Sequence, residues 1–368
     1  MSTKEDRFTQ KDKFFMSLAL DIAKAKFGLT GVNPSVGSII INKKNEIISI
    51  GSTGYNGTPH SEYTALKNSV DDLKNSTLYV TLEPCTHFGK SPPCTREIIK
   101  NKIGTVFFSI NDIDKRTKGK CKKILSNNGI KVKTGLLKDK ISNFYKPYKY
   151  NRKFKLPYVT GKIAITNNNV IFSDQTKKIT SYETDKLTHY LRYKNDTILI
   201  SSITINNDDS KLDCRLKGLK KFSPRRAILD KHLKINLKSN IIKSIKKGNT
   251  IIFYNKPDHK KLLYLKRRGV ILIKIKLNSD SNLDLKSILR KLYDLECRNL
   301  LVEGGNYLTK NFLKEKLFNI FYLLKSKKND PLTSNYKYFE SKNLLNKYFK
   351  HKINIKNFLG KDKIIQYK

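Results

Sequence analysis

Three short stretches carry side chains able to do chemistry together: His60-Ser61-Glu62, Glu83-Pro84-Cys85 and Pro92-Pro93-Cys94. Zinc takes imidazole and thiolate ligands in a tetrahedron, and a catalytic site keeps three protein ligands and one open position. His60, Cys85 and Cys94 supply that number. Glu62, two residues beyond the histidine at the start of an expected helix, can face the open position without ligating. Bound zinc lowers the pKa of water from about 16 to about 7. A carboxylate beside it can take the water's proton, pass it to a ring nitrogen and then protonate departing ammonia. Those are the requirements of hydrolytic deamination of an aminated pyrimidine or purine, for which His-x-Glu with Pro-Cys-x-x-Cys is a signature; here the second cysteine follows at a longer spacing, as Cys94. Singly, a loop histidine or a packed thiol is more often structural; the joint arrangement selects the metal site. His87, two residues after Cys85, is a competing ligand and is read instead as lining the pocket.

The elements that must hold these residues can be read from periodicity. Phe14, Phe15, Leu18, Ile22 and Ala25 recur at helical spacing between Lys11 and Phe27. Two β-rich runs, Val36 to Ile41 and Ile47 to Ile50, are joined by a polar turn and form an expected hairpin. Helix Ser61 to Ser69, strand Thr77 to Leu82, helix Thr95 to Lys102, strand Thr105 to Ile110, helix Gly119 to Asn127 and strand Ile130 to Lys133 follow. Such alternation means a sheet covered by helices. From Asn143 to Pro157 the pattern dissolves into Tyr, Lys and Pro, which places a domain boundary near 150, with domains 1–150 and 151–368. The second half reads as strand Tyr158 to Thr166, helix Ser181 to Tyr193, strands Thr197 to Ile203, Arg226 to Leu229, Thr250 to Tyr254 and Val270 to Ile275, helix Leu285 to Leu295, strand Asn299 to Glu303 and helix Tyr307 to Lys316. The tail after Asp330 is Lys- and Asn-rich and weakly patterned.

Composition narrows the function classes. The 368 residues fit two domains, and with 38% hydrophobic and 10% aromatic residues the chain is not disordered. No apolar run is long enough for a membrane helix, and the polar start MSTKEDRFTQ has no apolar signal core, so the expected location is the cytoplasm. Five cysteines, an odd number without Cys-x-x-Cys spacing, read as reduced thiols. The net charge of +44 raises a basic RNA-binding or RNA-editing protein as a rival reading. Its lysines are spread along the whole length and only 12 of the 75 basic residues are arginine, so the charge reads as compositional and nucleic acid is not the expected partner.

The run Thr81-Leu82-Glu83-Pro84-Cys85-Thr86-His87-Phe88-Gly89-Lys90-Ser91-Pro92-Pro93-Cys94 resembles the T-L-E-P-C-x-H-x-G-x-T-P-P-C segment of the bifunctional riboflavin-biosynthesis deaminase/reductase family, RibD. Asn33-Pro34-Ser35-Val36-Gly37 is similar to its N-P-x-V-G, and Asn111-Asp112 matches after the fourth strand, although the family's D-P-N-P has become Asp112-Ile113-Asp114-Lys115. The resemblance implies a cytidine-deaminase-like α/β/α layer domain followed by a dihydrofolate-reductase-like α/β domain. It further implies Zn2+ and NADPH as cofactors, a phosphoribosylaminopyrimidine as the small-molecule substrate, and a homo-oligomer.

In the second half, Leu301-Val302-Glu303-Gly304-Gly305 is a strand ending in paired glycines before a helix, which suits phosphate binding or a plain tight turn. Lys162-Ile163-Ala164, Ile179-Thr180-Ser181, Leu191-Arg192 and the run Ser201 to Asp209 resemble the family's reductase motifs. By that resemblance Thr176, Arg192, Leu212, Arg215 and Glu303 line the phosphoribosyl substrate. Ala164, Lys178, Thr204 and Asp208 would face NADPH, with Gly305, Asn306, Tyr307, Leu308, Thr309, Lys310 and Asn311. Arg192 and Arg215 suit a phosphate because a guanidinium fork gives it two hydrogen bonds. The family's S-L-D-G appears as Thr166-Asn167-Asn168-Asn169, and its Trp before I-T-S is Lys178. Those departures motivate an alternative in which the deaminase is retained and the reductase is degraded.

Overall fold

The computed structural model describes residues 8–89, 91–174, 178–332, 335–356 and 360–368. The chain divides into two compact units, 1–154 and 155–368. Among the described residues no helix is long and apolar enough to cross a membrane.

In the first unit the order is α1 (Gln10–Lys26), β1 (Gly37–Ile41), β2 (Ile47–Ser52), α2 (Ser61–Asn68), β3 (Thr77–Leu82), α3 (Cys94–Lys100), β4 (Thr105–Ile110), α4 (Cys121–Asn127), β5 (Lys131–Thr134), α5 (Lys138–Phe144) and α6 (Lys146–Phe154). The described strands form one sheet in the order β2-β1-β3-β4-β5; β1 runs antiparallel to both neighbours, and β3, β4 and β5 are parallel. Parallel strands need cover on both faces, and the helices supply it over a core that includes Ile39, Leu78, Val80, Val106 and Phe108.

Helix α1 starts from a Thr9–Asp12 capping box. The stripe it buries is Phe15, Met16, Ala19, Leu20 and Ala23; Phe14, expected inside, is 61% exposed, and Ala25 is exposed too. The reason is close backbone packing. A Cβ on Gly37 of β1 would come within 2.0 Å of the Ala19 carbonyl oxygen, so the helix approaches on its alanine face and the larger Phe14 is turned outward. Gly51 of β2 does the same for α2, where a Cβ would meet the Ser61 carbonyl oxygen at 2.1 Å.

The stretch 143–157, where the apolar pattern dissolves and a boundary is expected, is mostly helical. Tyr145 is buried, and its hydroxyl donates to the Ser35 carbonyl at 2.9 Å while hydrogen-bonding Thr81 Oγ1 at 2.7 Å. Buried tyrosines with polar tips carry this segment, so apolar periodicity does not reveal it.

The second unit contains β6 (Tyr158–Ile165), β7 (Val170–Ser173), α7 (Tyr182–Tyr193), β8 (Thr197–Ser201), α8 (Ser202–Asp208), β9 (Arg225–Leu229), α9 (Asn240–Lys243), β10 (Thr250–Tyr254), α10 (His259–Arg267), β11 (Ile271–Lys274), α11 (Leu285–Asp294), β12 (Asn299–Val302), α12 (Asn306–Lys314), β13 (Ile320–Lys325), β14 (Tyr336–Tyr338), α13 (Lys342–Tyr348), β15 (Lys352–Ile355) and β16 (Lys363–Tyr367). Its main sheet runs β11-β10-β9-β8-β12-β6-β13-β16-β15, parallel as far as β13 and antiparallel beyond. Neighbours along a strand go to opposite faces. Leu199, Ile251, Leu300 and Val302 join one apolar cluster while Ile198, Ile200, Ile252 and Leu301 join the other.

Three expectations need correction here. The strand expected from Thr197 to Ile203 ends at Ser201, whose side chain accepts from the Thr204 N–H and starts α8 instead. A helix, α10, fills the gap before β11, its apolar face too short to stand out among lysines. The weakly patterned tail is structured: β16 lies between β13 and β15, and its Tyr367 and Ile364 are buried.

Candidate active sites

In the first unit the strand ends deliver the site. Chain segments leaving the carboxyl ends of adjacent parallel strands form the usual ligand crevice of such sheets; Glu83-Pro84-Cys85 leaves β3 there. His60 is the N-cap of α2 and makes no side-chain cap, which leaves its imidazole free to face the cysteines. Cys94 opens α3 directly after Pro93. His60 Nδ1 lies 3.4 Å from Cys94 Sγ and 3.5 Å from Cys85 Sγ, and the ligand atoms of all three residues fall within 4.8 Å of one another. A nitrogen and a sulfur held tetrahedrally on one zinc ion stand about 3.6 Å apart, from bond lengths of about 2.05 and 2.3 Å. The trio therefore fits zinc in donor type and in spacing. His87 stays outside it, with Nδ1 3.1 Å from Thr117 Oγ1.

The electrostatics agree with that fit. Hydrogen bonding to Cys94 and to His60 pulls the Cys85 thiol down to about 4, and the Cys94 backbone N–H donates to its sulfur at 3.2 Å. The Cys85 sulfur and burial push the Cys94 thiol up. The hydrogen bond to Cys85 in turn raises the His60 imidazole to about 9, so the sulfurs favour positive charge beside them, which a bound dication would supply. Glu62 is 4% exposed, and its carboxyl is raised by burial. Its Oε2 accepts from Ser61 Oγ at 2.9 Å.

Sequence reasoning assigned no role to Glu83. Its buried carboxylate accepts from the backbone N–H groups of Asp112 (3.0 Å), Gly119 (3.0 Å) and Cys121 (3.1 Å). It thereby ties the 112–121 loop to the segment carrying Cys85. That loop lacks the family's prolines, and side-chain locks replace them: Asp112 Oδ1 accepts from the Asp114 N–H and Asp114 Oδ1 from the Arg116 N–H. An acidic residue before Pro-Cys, where no ligand is needed, was the available signal.

In the second unit a cavity of about 890 Å3 brings together most of the residues expected there. Ala164, Leu212 and Glu303 face it, and so do Thr204 and Asp208 from α8. From α12 and its N-cap come Gly305, Asn306, Tyr307, Leu308, Lys310 and Asn311. The α12 N-terminus has no side-chain cap, and a Cβ on Gly305 would meet only Thr204 Oγ1, at 3.8 Å. Free N–H groups beside open space suit a dinucleotide phosphate, so these residues fit NADPH. Leu212 holds a left-handed backbone at φ 55°, which is strained for a leucine.

Four expectations change. Arg192 lines the cavity, but its fork is already taken: Nε and Nη2 donate to Glu303 at 2.8 and 2.9 Å, and Nη1 donates to the Asp213 carbonyl at 3.1 Å. It holds Glu303 rather than offering a free phosphate clamp. Arg215 is 60% exposed and outside the cavity wall, beside Asp213. Lys178 is also outside, half-exposed near Asp185, and Thr309 is buried under the helix start. Thr176 lies outside the described residues.

Lys162 was overlooked as a site residue. Its ammonium is 3.8 Å from Glu303 Oε2 in the cavity wall; a lysine inside an otherwise apolar β-run was the clue. Burial alone would raise the Glu303 carboxyl, yet Arg192 and then Lys162 hold it down to about 2. The turn after β6 closes without the family's Asp-Gly. Asn169 takes the left-handed position at φ 64°, and the Asn168 side chain bonds both the N–H and the carbonyl of Asp330.

Comparison with known proteins matches each unit to a family. Residues 9–110 match the cytidine and deoxycytidylate deaminase zinc-binding region, and residues 157–325 match the RibD C-terminal domain. The riboflavin biosynthesis protein RibD of Aquifex aeolicus is 36% identical over 310 residues, covering 84% of this chain and 85% of that protein. The one from Buchnera aphidicola is 31% identical, with 84% and 85% covered. Among solved structures, the Thermotoga maritima diaminohydroxyphosphoribosylaminopyrimidine deaminase/5-amino-6-(5-phosphoribosylamino)uracil reductase superposes with a TM-score of 0.77 at 27% identity, covering 97% of this chain and 98% of that one. Acinetobacter baumannii RibD gives 0.80 at 23% identity over the same shares, a likeness of fold.

Proposed function

Because this chain belongs to the RibD family, the two-domain deaminase/reductases of riboflavin biosynthesis, we propose specific roles for its residues. His60, Cys85 and Cys94 hold zinc, and Glu62 moves the protons. The substrate of the first unit is 2,5-diamino-6-(5-phosphoribosylamino)pyrimidin-4(3H)-one, and its product, 5-amino-6-(5-phosphoribosylamino)uracil, is reduced in the second unit from ribosyl to ribityl. The observation that carries the deaminase reading is the trio at tetrahedral spacing beside a buried carboxylate.

Zinc supplies the Lewis acidity that makes water a nucleophile at neutral pH. Glu62 would take one proton from the water and give it to the ring nitrogen, then take the remaining proton of the added hydroxyl and give it to the departing amino group, which leaves as ammonia. Burial raises its carboxyl, and a raised carboxyl releases and recaptures a proton more readily near neutrality. Ser61 keeps one Glu62 oxygen aimed by its hydrogen bond. Bound NADPH would supply the hydride for the anomeric carbon of the ribosyl group, whose bond to the ring oxygen opens with a proton from solvent going to that oxygen. In the second unit Arg192 and Lys162 fix Glu303 at the cavity wall, where Leu212 and Glu303 face the phosphoribosyl group. Thr204, Asp208 and the α12 N-terminus face the cofactor.

The cytoplasmic and homo-oligomeric states belong to the same proposal and rest on the family alone. Neither the degraded-reductase nor the RNA-editing alternative is favoured by the comparisons. The test is to give the full-length protein the diaminopyrimidine substrate with and without NADPH, following ammonia and absorbance at 340 nm. Ammonia release together with NADPH loss is expected; ammonia without NADPH loss would overturn the reductase assignment.

A further inference from the structure

A second cavity, of about 540 Å3, lies in the second unit and shares no lining residue with the larger one. It sits between the outer strands β13, β16 and β15 and helix α13. Its floor is apolar: Leu323 on β13 stands opposite Ile365 on β16, with Tyr367 two residues further. Around that floor stand Lys325, Lys327, Lys342, Lys352 and Lys363, and none of the described residues lining the cavity is acidic.

These lysines are brought together by folding. The strand register sets Lys325 directly opposite Lys363, and both share a face with Leu323 and Ile365 because residues two apart point the same way. Helix α13 adds Lys342 and, one turn later, Asn346. Like charges directly opposite on neighbouring strands are destabilising. Among the described residues no carboxylate pairs with any of the five. A drift toward lysine spreads ammoniums over a surface; it does not by itself collect five around one apolar hollow with the acids left out. The match to the RibD C-terminal domain ends at residue 325, so four of the five lie beyond it, and neither proposed activity calls on them.

We propose that this groove binds a multiply charged phosphate anion, its phosphoryl oxygens taken by the ammoniums. Each exposed lysine contributes little alone, so a ligand carrying several charges at once is the one the site selects. A free polyphosphate and a nucleoside triphosphate share that chemistry, and the apolar floor gives a base a place to rest.

The test is calorimetric titration of the full-length protein with tripolyphosphate and, separately, with ATP at about 0.15 M salt. Wild type is compared with K325M/K363M and with a control, K43M/K44M, in the exposed turn between β1 and β2. Saturable binding is expected, weakened about tenfold or more by K325M/K363M and less than about twofold by the control. Tighter binding of ATP assigns a nucleotide, and equal binding assigns the polyphosphate; both support the site. Equal losses in the two variants, or binding that never saturates, would mean diffuse attraction to a +44 chain and overturn it. K342M, which leaves the sheet untouched, repeats the test should the double variant not fold, with a loss of about threefold or more expected.

Discussion

Replacing Glu303 by Gln tests the reading that Arg192 and Lys162 exist to hold a buried carboxylate. Glu303 is about 10% exposed and bonded twice by Arg192, so removing its charge strands a buried guanidinium. Removing one partner of such a pair costs about 3–5 kcal/mol. Linkage gives a second figure: a carboxyl held at about 2 instead of 4.5 contributes about 3 kcal/mol near neutrality. Its folded pKa is depressed, so that contribution is full above about 4.5 and is lost as pH falls toward 2. Urea unfolding of the full-length chain, followed by circular dichroism, reads the size. With a slope of about 2 kcal/mol per molar urea, E303Q lowers the midpoint of the second unit's transition by about 1.5 M at pH 7. Hydrogen exchange across 182–193 and 299–304 locates the loss. The gap between wild type and variant narrows to about 1 kcal/mol at pH 3, because there the unfolded wild type has taken up a proton that folding must remove, and it closes only as pH falls toward 2. A midpoint shift below about 0.3 M, or a gap that does not narrow with acid, would refute the reasoning.

Other expectations follow from the same geometry. E62Q keeps its zinc by metal analysis and still oxidises NADPH with deaminated substrate, but loses ammonia release by a factor of about 100 or more; turnover near wild type would remove Glu62 from the mechanism. C85S loses zinc and deaminase activity together, whereas a His87→Ala variant keeps its metal, since His87 stands outside the trio. Y145F removes a buried hydroxyl that links Ser35 and Thr81, costing about 1–3 kcal/mol in a denaturant titration. G37A forces α1 off β1 and costs about 3 kcal/mol or more, read as a lost or lowered first-unit transition.

The metal site was legible because its chemistry demands fixed residue types, and each type stood at an element boundary that periodicity could place. His60 before a helix and Cys85 after a strand needed no knowledge of packing. The face of α1 was misread for the opposite reason: which apolar residues turn inward depended on Gly37, a contact between elements that no local pattern contains. Arg192 shows a similar limit. Its type suggested phosphate, but its partner, Glu303, is 111 residues away in sequence and adjacent only in the fold. The helices at 138–154 and the strands after 330 were hidden by lysine and tyrosine, which bury stems or rings while keeping polar tips, and so blur the apolar pattern.

The position of β16 bears on how the chain is made. This strand sits inside the sheet next to β13, which itself flanks the central β6, so one edge of the second unit stays open until residues 363–367 are in place. Among the described residues the first unit has its strands by residue 134 and its last helix by 154. At about 5–20 residues per second of synthesis, the 214 residues of the second unit take on the order of 10–40 s. During that interval the ribosome carries a deaminase whose sheet can already close, followed by a reductase still waiting for its keystone.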